Sequence, residues 1–140
     1  MGQNDQVKQA YKILKEFLKI WEKFRNIYKT VLSRREIQHK DEILFGDTLS
    51  VIHRRIEDLK RALDVNRERD KDVLDALYKT VSLKSLANVS DAGIEQLNKD
   101  WEKVDVFLRM RYAEVSKEIT ALDKKKSLWR LLCFIKRSKG

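Results

Sequence analysis

The first quarter of the chain carries a regular pattern of apolar residues that predicts one long helix. Apolar side chains recur at alternating steps of four and three, at Ala10, Leu14, Phe17, Trp21, Phe24, Tyr28 and Val31. This spacing places them in one stripe along an α-helix. A second row at Ile13, Ile20 and Ile27 widens the stripe beyond what a two-stranded coiled coil buries. The helix therefore needs partners on more than one side, as the central helix of a bundle does.

Three further amphipathic segments follow. The second helix is expected to begin either at Asp41 or, with Gly46 breaking an extra turn, at Asp47, where the side chains of Asp47 and Thr48 can accept backbone amide hydrogens. Its apolar residues repeat in the same way, at Phe45, Leu49, Ile52, Ile56, Leu59 and Leu63. A third helix is predicted over residues 70–86 and a fourth over residues 91–122, while the first covers about residues 4–32. Helices of this kind bury their apolar stripes against one another.

The connections between these helices are polar. Residues 33–40 and 66–72 are predicted turns, and residues 88–93 form the clearest loop, with Ser90 and Asp91 as a helix cap. The apolar residues after the second turn nearly keep the phase of the second helix. One continuous helix through residues 66–72 is therefore an alternative.

The glycine and proline content favours a helical fold. The chain has 140 residues, no proline and only four glycines, whereas β-rich folds need many tight turns. We predict an all-α protein, namely an antiparallel four-helix up-down bundle over residues 1–123. A short C-terminal fifth helix is expected within the tail, residues 124–140, which is either free or packed on the bundle.

Basic residues concentrate at the end of the chain. The protein has 31 basic and 22 acidic residues and a formal net charge of +9. Seven basic residues and no acidic one lie in the tail, which leaves 24 basic and 22 acidic residues for the rest. A protein that wraps nucleic acid spreads its positive charge over the folded body. Nucleic acid is therefore the less favoured partner.

The tail combines these charges with a dense apolar block. Between residues 128 and 135 only Arg130 interrupts a run of Leu, Trp, Cys, Phe and Ile. Basic side chains bind anionic headgroups, while Trp and aliphatic side chains enter the edge of the acyl region. We therefore expect the tail to dock on an anionic membrane surface or on a protein partner. The residues predicted to carry this binding are Lys124, Lys125, Lys126, Trp129, Arg130, Phe134, Lys136 and Arg137.

A second interpretation of the apolar block is structural. The tail can instead fold back and cover one end of the bundle core, which removes the same apolar surface from water. It can also serve as the interface between subunits of a larger assembly. The sequence is compatible with all three uses and does not fix the oligomeric state.

No segment has the pattern of a secretory signal or of a membrane span. The first residues are polar, and no apolar run approaches the roughly 18–20 residues of a span. Cys133 is the only cysteine, so an internal disulfide cannot form, which fits a reducing compartment. We expect a cytoplasmic protein, either free or attached peripherally to a membrane through its tail.

Catalytic, metal and cofactor motifs are not predicted. Glu36 and His39 have the spacing that di-iron bundles use on two helices, but only one such pair occurs. His53 and Glu57 lie one helical turn apart, where a solvated pair is the more frequent arrangement. The sequence has no glycine-rich phosphate loop, nucleophile elbow or zinc spacing. The expectation is a non-enzymatic interaction or scaffold protein without cofactor or bound metal.

One pair of residues supports an alternative function. Arg34 and His39 are separated by four residues, which resembles the Arg-x4-His pattern of HEPN ribonucleases, a family of small helical proteins. The resemblance implies RNA binding or RNA cleavage by these two residues across a dimer. In that family the pair lies late in the domain and a polar residue is favoured after the arginine. Here the pair lies between the first two helices and Arg35 takes that place.

Overall fold

The computed structural model describes residues 3–34, 36–83 and 85–139, and these form four α-helices and no strand. The helices are α1 (Gln3–Arg34), α2 (His39–Ala62), α3 (Glu68–Val81) and α4 (Asp91–Lys139). The helices pack against one another. The predicted all-helical fold is therefore confirmed.

The apolar stripe of α1 forms the centre of the core, as its breadth predicted. Its buried members are Leu14, Phe17, Trp21, Phe24, Tyr28 and Val31. α1 packs against both α2 and α4, so its wide stripe has partners on two sides. The ring of Phe24 contacts Phe45 of α2 and Trp101 of α4, with centroid separations of 5.6 and 5.1 Å. Three helices therefore meet in one aromatic cluster.

α2 begins at His39, two residues before Asp41, which is the first of the two predicted starts. The N-cap residue is Gln38, and Asp41 lies at the third helical position, where its buried carboxylate accepts a hydrogen bond from the backbone N–H of Gln38 at 3.0 Å, as in a capping box. The same carboxylate pairs with the guanidinium of Arg34 at 3.4 Å. The connection between α1 and α2 is thus held by one acidic side chain.

The turn between α2 and α3 lies earlier than predicted. α3 begins at Glu68, so neither the turn over residues 66–72 nor the continuous helix occurs. The reason is the buried carboxylate of Asp70, which accepts the backbone N–H of Asp64 at 2.7 Å. Asp64 in turn accepts the backbone N–H of Asn66 at 3.0 Å. The polar residues after this turn suit the first turn of a helix, where acidic side chains interact favourably with the helix dipole.

α3 ends at Val81, earlier than predicted, and residues 82, 83 and 85–90 belong to the loop before α4. Leu86, which was predicted to lie at the end of α3, belongs to this loop, and its side chain is buried in the core. The carboxylate of Glu42 on α2 holds the loop. It accepts hydrogen bonds from the hydroxyl of Ser85 at 3.0 Å and from the backbone N–H of Ala87 at 2.8 Å. The hydroxyl of Ser90 accepts the N–H of Gly93 at 3.1 Å. The predicted cap of α4 is confirmed.

α4 is 49 residues long and continues through the region where a separate fifth helix was expected. Leu122 is its last half-buried side chain, and the helix runs on to Lys139. At about 1.5 Å per residue, the portion from Asp123 onward is about 26 Å long. The prediction of a distinct short helix is therefore wrong: the described part of the tail is the end of α4.

Candidate functional site

The candidate site is the exposed end of α4. Every side chain from Asp123 to Lys136 is exposed. Among them, six large apolar side chains have 41 to 70% of their surface accessible, namely Leu128, Trp129, Leu131, Leu132, Phe134 and Ile135. Monomeric proteins rarely expose so much contiguous apolar surface without a binding function. The segment is not folded back over the end of the core.

The predicted binding residues lie together on this segment. Those whose side chains the structure describes are all exposed, namely Lys124, Lys125, Lys126, Trp129, Arg130, Phe134 and Lys136. Arg137 lies in α4, but its side chain is outside the described part of the chain. Hydrogen bonding with Lys8 and the charge of Lys8 lower the pKa of Lys126.

Four of the six large apolar side chains of the segment lie on the side of α4 that faces away from the bundle. At about 100° per residue, Leu128, Leu131, Leu132 and Ile135 share one helix face. We call these four residues the outer stripe. The buried face of α4 is set by Leu97, Trp101, Val104, Leu108 and Val115. The outer stripe is rotated from that face by about 150°. Up to Leu122 the apolar face of α4 is therefore turned toward the bundle, and beyond Leu122 it is turned away from it.

Aromatic and basic side chains surround the outer stripe. In the helix register, Trp129 and Phe134 flank it on its two sides, while Lys126 and Arg130 lie on the opposite face. Lys124 precedes the stripe along the same face. The segment is therefore amphipathic, with an apolar face that is open to solvent and cations on the other faces.

Polar contacts with α1 fix the rotation of α4. The indole N–H of Trp21 donates a hydrogen bond to the buried carboxylate of Asp105 at 3.1 Å. The guanidinium of Arg109 donates to both oxygens of the same carboxylate at 3.2 Å. Arg25 of α1 lies 3.7 Å from it. Arg109 lies on α4 itself, so a rotation of α4 would break the contacts of Asp105 with Trp21 and Arg25 and leave the buried Trp21 N–H without its acceptor, which is costly.

A second contact with α1 lies one turn earlier on α4. The hydroxyl of Tyr28 donates a hydrogen bond to Glu102 at 3.0 Å, and Arg25 and Lys29 pair with the same carboxylate. Burial and the bond to Glu102 raise the pKa of Tyr28 above its usual range. Partial burial alone would raise the pKa of Glu102, but its partners outweigh this effect and lower the pKa below the usual value. At neutral pH, Tyr28 therefore stays protonated and Glu102 stays ionised.

α3 holds α4 from another side. Arg111 donates a hydrogen bond to the buried carboxylate of Asp70 at 2.6 Å and to Glu114 at 3.0 Å. The indole N–H of Trp101 donates to the hydroxyl of Thr80 at 3.0 Å. Both buried tryptophans thus have partners for their N–H groups. With contacts to α1 and α3, the orientation of the outer stripe relative to the bundle is fixed.

An apolar groove between α3 and α4 was not predicted. It has a volume of about 520 Å³ and is lined by Arg69, Asp72, Val73, Glu102, Lys103, Val106, Phe107 and Met110. Val106 has 64% of its surface exposed, the largest value for a large apolar side chain in the bundle portion of α4. The only sequence signal is that Val106 and Met110 lie off the spacing of the buried residues of α4. They lie on the same helix face as the outer stripe.

The residues of the other candidate motifs that the structure describes include Arg34, His39, His53 and Glu57, at the end of α1 and on α2. Arg34 pairs with Asp41, and His39 is exposed on the first turn of α2. Arg35 lies outside the described residues. His53 and Glu57 are exposed, and within the described residues no group of three or more metal-ligating side chains occurs. Among the residues that the structure describes, no helix is sufficiently long and apolar to span a membrane.

Compared with protein-family models, curated protein sequences and solved structures, the chain matches none of them.

Proposed function

We propose that this protein is a non-enzymatic, peripheral membrane-docking protein whose α4 end binds anionic lipid surfaces. The observation that carries the proposal is the orientation of the outer stripe. Because this stripe faces away from the bundle, a flat surface can contact it along its whole length without meeting the other helices. An interfacial helix needs this access, since it lies in the plane of the headgroups with its apolar face buried.

The side chains around the stripe fit the same environment. Trp129 flanks the apolar face, and indole rings favour the membrane–water interface. Lys124 and Lys125 can extend their ammonium groups to headgroups while their methylene groups cover apolar surface. Each basic residue close to an anionic surface contributes about 1 kcal/mol. Both apolar and electrostatic terms therefore support binding, and the electrostatic term weakens as salt screens it.

The bundle acts in this proposal as a rigid carrier of the docking helix. α1 and α4 run in opposite directions, because Tyr28 meets Glu102 and Tyr11 meets Tyr112. We propose on this basis that the four helices form an up-down bundle. The protein would act on the cytoplasmic face of a membrane, which fits its lone cysteine and the anionic lipids of that leaflet.

Co-sedimentation with lipid vesicles tests the proposal. The full chain should sediment with vesicles that contain anionic lipid and much less with purely zwitterionic vesicles. A chain that ends at Leu122 should remain in the supernatant while its far-UV circular dichroism spectrum still shows a folded helical protein. Equal sedimentation of the two chains would contradict the proposal.

A further inference from the structure

One line of exposed side chains follows the outer face of α4 from the bundle to its end. Its members are Val106, Met110, Ala113, Lys117, Ala121, Lys124, Leu128, Leu131 and Ile135. The line is apolar at both ends and basic in the middle. The spacing at one end, 106–110–113, is the reverse of the spacing at the other, 128–131–135. The line is therefore self-complementary for an antiparallel copy of itself.

We propose that, without lipid, the protein forms a two-fold symmetric dimer through antiparallel pairing of α4 with α4 of a second copy. The two-fold axis lies beside residues 120 and 121. This register places Met110 against the partner's Leu131 and Ala113 against the partner's Leu128. It also places Val106 against the partner's Ile135. A two-fold interface repeats each of these contacts, so one register satisfies both apolar ends at once.

The groove between α3 and α4 adds a receiving surface to this interface. Val106, Phe107 and Met110 of α4 line the groove together with Val73 and Asp72 of α3. In the proposed register, the partner's Leu132 lies beside Phe107 and enters the groove. The partner's Lys136 then lies on the side of the groove where Asp72 provides a negative charge. An apolar ridge on one copy therefore meets an apolar groove on the other.

The size of the interface suits a reversible dimer. Overlap from residue 103 to residue 138 is about 53 Å long and a helix is about 10 Å wide. The pair therefore buries on the order of 1,000 Å² in total, near the lower bound for a specific interface. Some charges favour the dimer and others oppose it. Glu114 and Glu118 lie on the side of the partner's Lys125 and attract it, whereas Lys117 faces the partner's Lys124 and repels it.

This inference goes beyond the proposed function, since Met110 and Ala113 lie outside the docking segment. The dimer covers the outer stripe, so a dimer cannot dock on lipid with that surface. An anionic membrane should therefore dissociate the dimer, and the monomer is the form that docks.

Disulfide trapping tests the register. In a Cys133→Ser background, Met110→Cys is combined with Leu131→Cys, and the chain is oxidised mildly without lipid. Positions 110 and 131 are about 31 Å apart on one straight helix, so a disulfide between them must join two chains. The matched control combines Met110→Cys with Ile135→Cys, which is four residues out of register. Efficient dimer formation in the first variant alone is expected. Equal trapping in both, or none in either, would overturn the proposal.

A charge reversal gives a second readout, which loss of folding cannot imitate. Lys117→Glu replaces repulsion with attraction toward the partner's Lys124 at two symmetric places and should tighten the dimer roughly fivefold in sedimentation equilibrium. Lys71→Glu on α3 makes the same change in net charge away from the interface. The same tightening by both variants, or none by Lys117→Glu, would contradict the register. Vesicle binding is measured separately, so failure here leaves the proposed function standing.

Discussion

The indole N–H of Trp21 donates a hydrogen bond of 3.1 Å to the carboxylate of Asp105, 84 residues further along the chain. Both residues are buried, and the bond joins the central helix to the helix that carries the candidate site. Because Arg25 of α1 also lies 3.7 Å from this carboxylate, the angular position of α4 on α1 is set at this point. The outward direction of the outer stripe follows from that position.

Loss of the Asp105 carboxylate should destabilise the bundle strongly. Asp105→Ala leaves the buried Trp21 N–H without its acceptor and removes one of the two carboxylates that pair with Arg25. The expected cost is about 3 kcal/mol in the free energy of unfolding. Urea titration measures this change. Asp75→Ala, which removes an exposed carboxylate from α3, should change the free energy of unfolding by less than about 0.5 kcal/mol. Similar losses in both variants would contradict the anchoring role.

Stability should fall in acid through Glu102. Its pKa in the folded protein is lower than in the unfolded chain, so folding favours the ionised form. This contribution is present above the usual Glu pKa of 4.5 and is lost as the pH falls through the lower folded value. Glu102→Gln should therefore flatten the decline in the free energy of unfolding below about pH 5. The exposed Glu95→Gln variant serves as the control, and an unchanged decline in Glu102→Gln would refute this assignment.

The sequence predicted the core because burial follows the spacing of apolar residues. All six apolar residues that were predicted to form the stripe of α2, from Phe45 to Leu63, are buried. The turn before α3 was misplaced because its position depends on the buried carboxylate of Asp70, which accepts hydrogen bonds from the backbone N–H of Asp64 and from Arg111, 41 residues further along the chain. A run of polar residues shows only that a segment can be a turn. It does not show where tertiary hydrogen bonds stop the helix.

The end of α4 was misjudged for a different reason. The predicted helix stopped where its apolar stripe stopped, at Leu122. Lys, Leu and Arg are good helix formers, and no proline or glycine interrupts residues 123–139, so the backbone continues while the apolar face changes sides. The groove beside Val106 was not predictable, because it depends on how α3 packs against α4.

Rotating the docking segment should weaken membrane binding. Insertion of two alanines after Asp123 turns the outer stripe by about 200°, toward the bundle side. Insertion of seven alanines, about two full turns, restores its direction and lengthens the helix by about 10 Å. Vesicle co-sedimentation should decrease for the first variant and persist for the second. Equal binding would show that the direction of the stripe does not matter.

RNA cleavage is the alternative that the Arg34 and His39 spacing raised. Arg34 is paired with Asp41, so we expect no cleavage of labelled RNA and at most binding that weakens steeply with salt. His39→Ala should leave any such binding unchanged. Cleavage by the parent protein that is lost in His39→Ala would replace the membrane proposal with a nuclease function.

The most direct test of the central claim compares two double variants in binding to anionic vesicles. Leu128→Gln with Leu131→Gln makes half of the outer stripe polar. Ile43→Gln with Leu44→Gln removes two exposed apolar side chains from α2, and neither change alters the net charge. We expect vesicle binding to fall roughly tenfold or more for the stripe variant, because two leucines no longer leave water on docking, and to stay at the parent level for the α2 variant. Equal binding by the stripe variant and the parent would contradict the claim that the outer stripe is the docking surface.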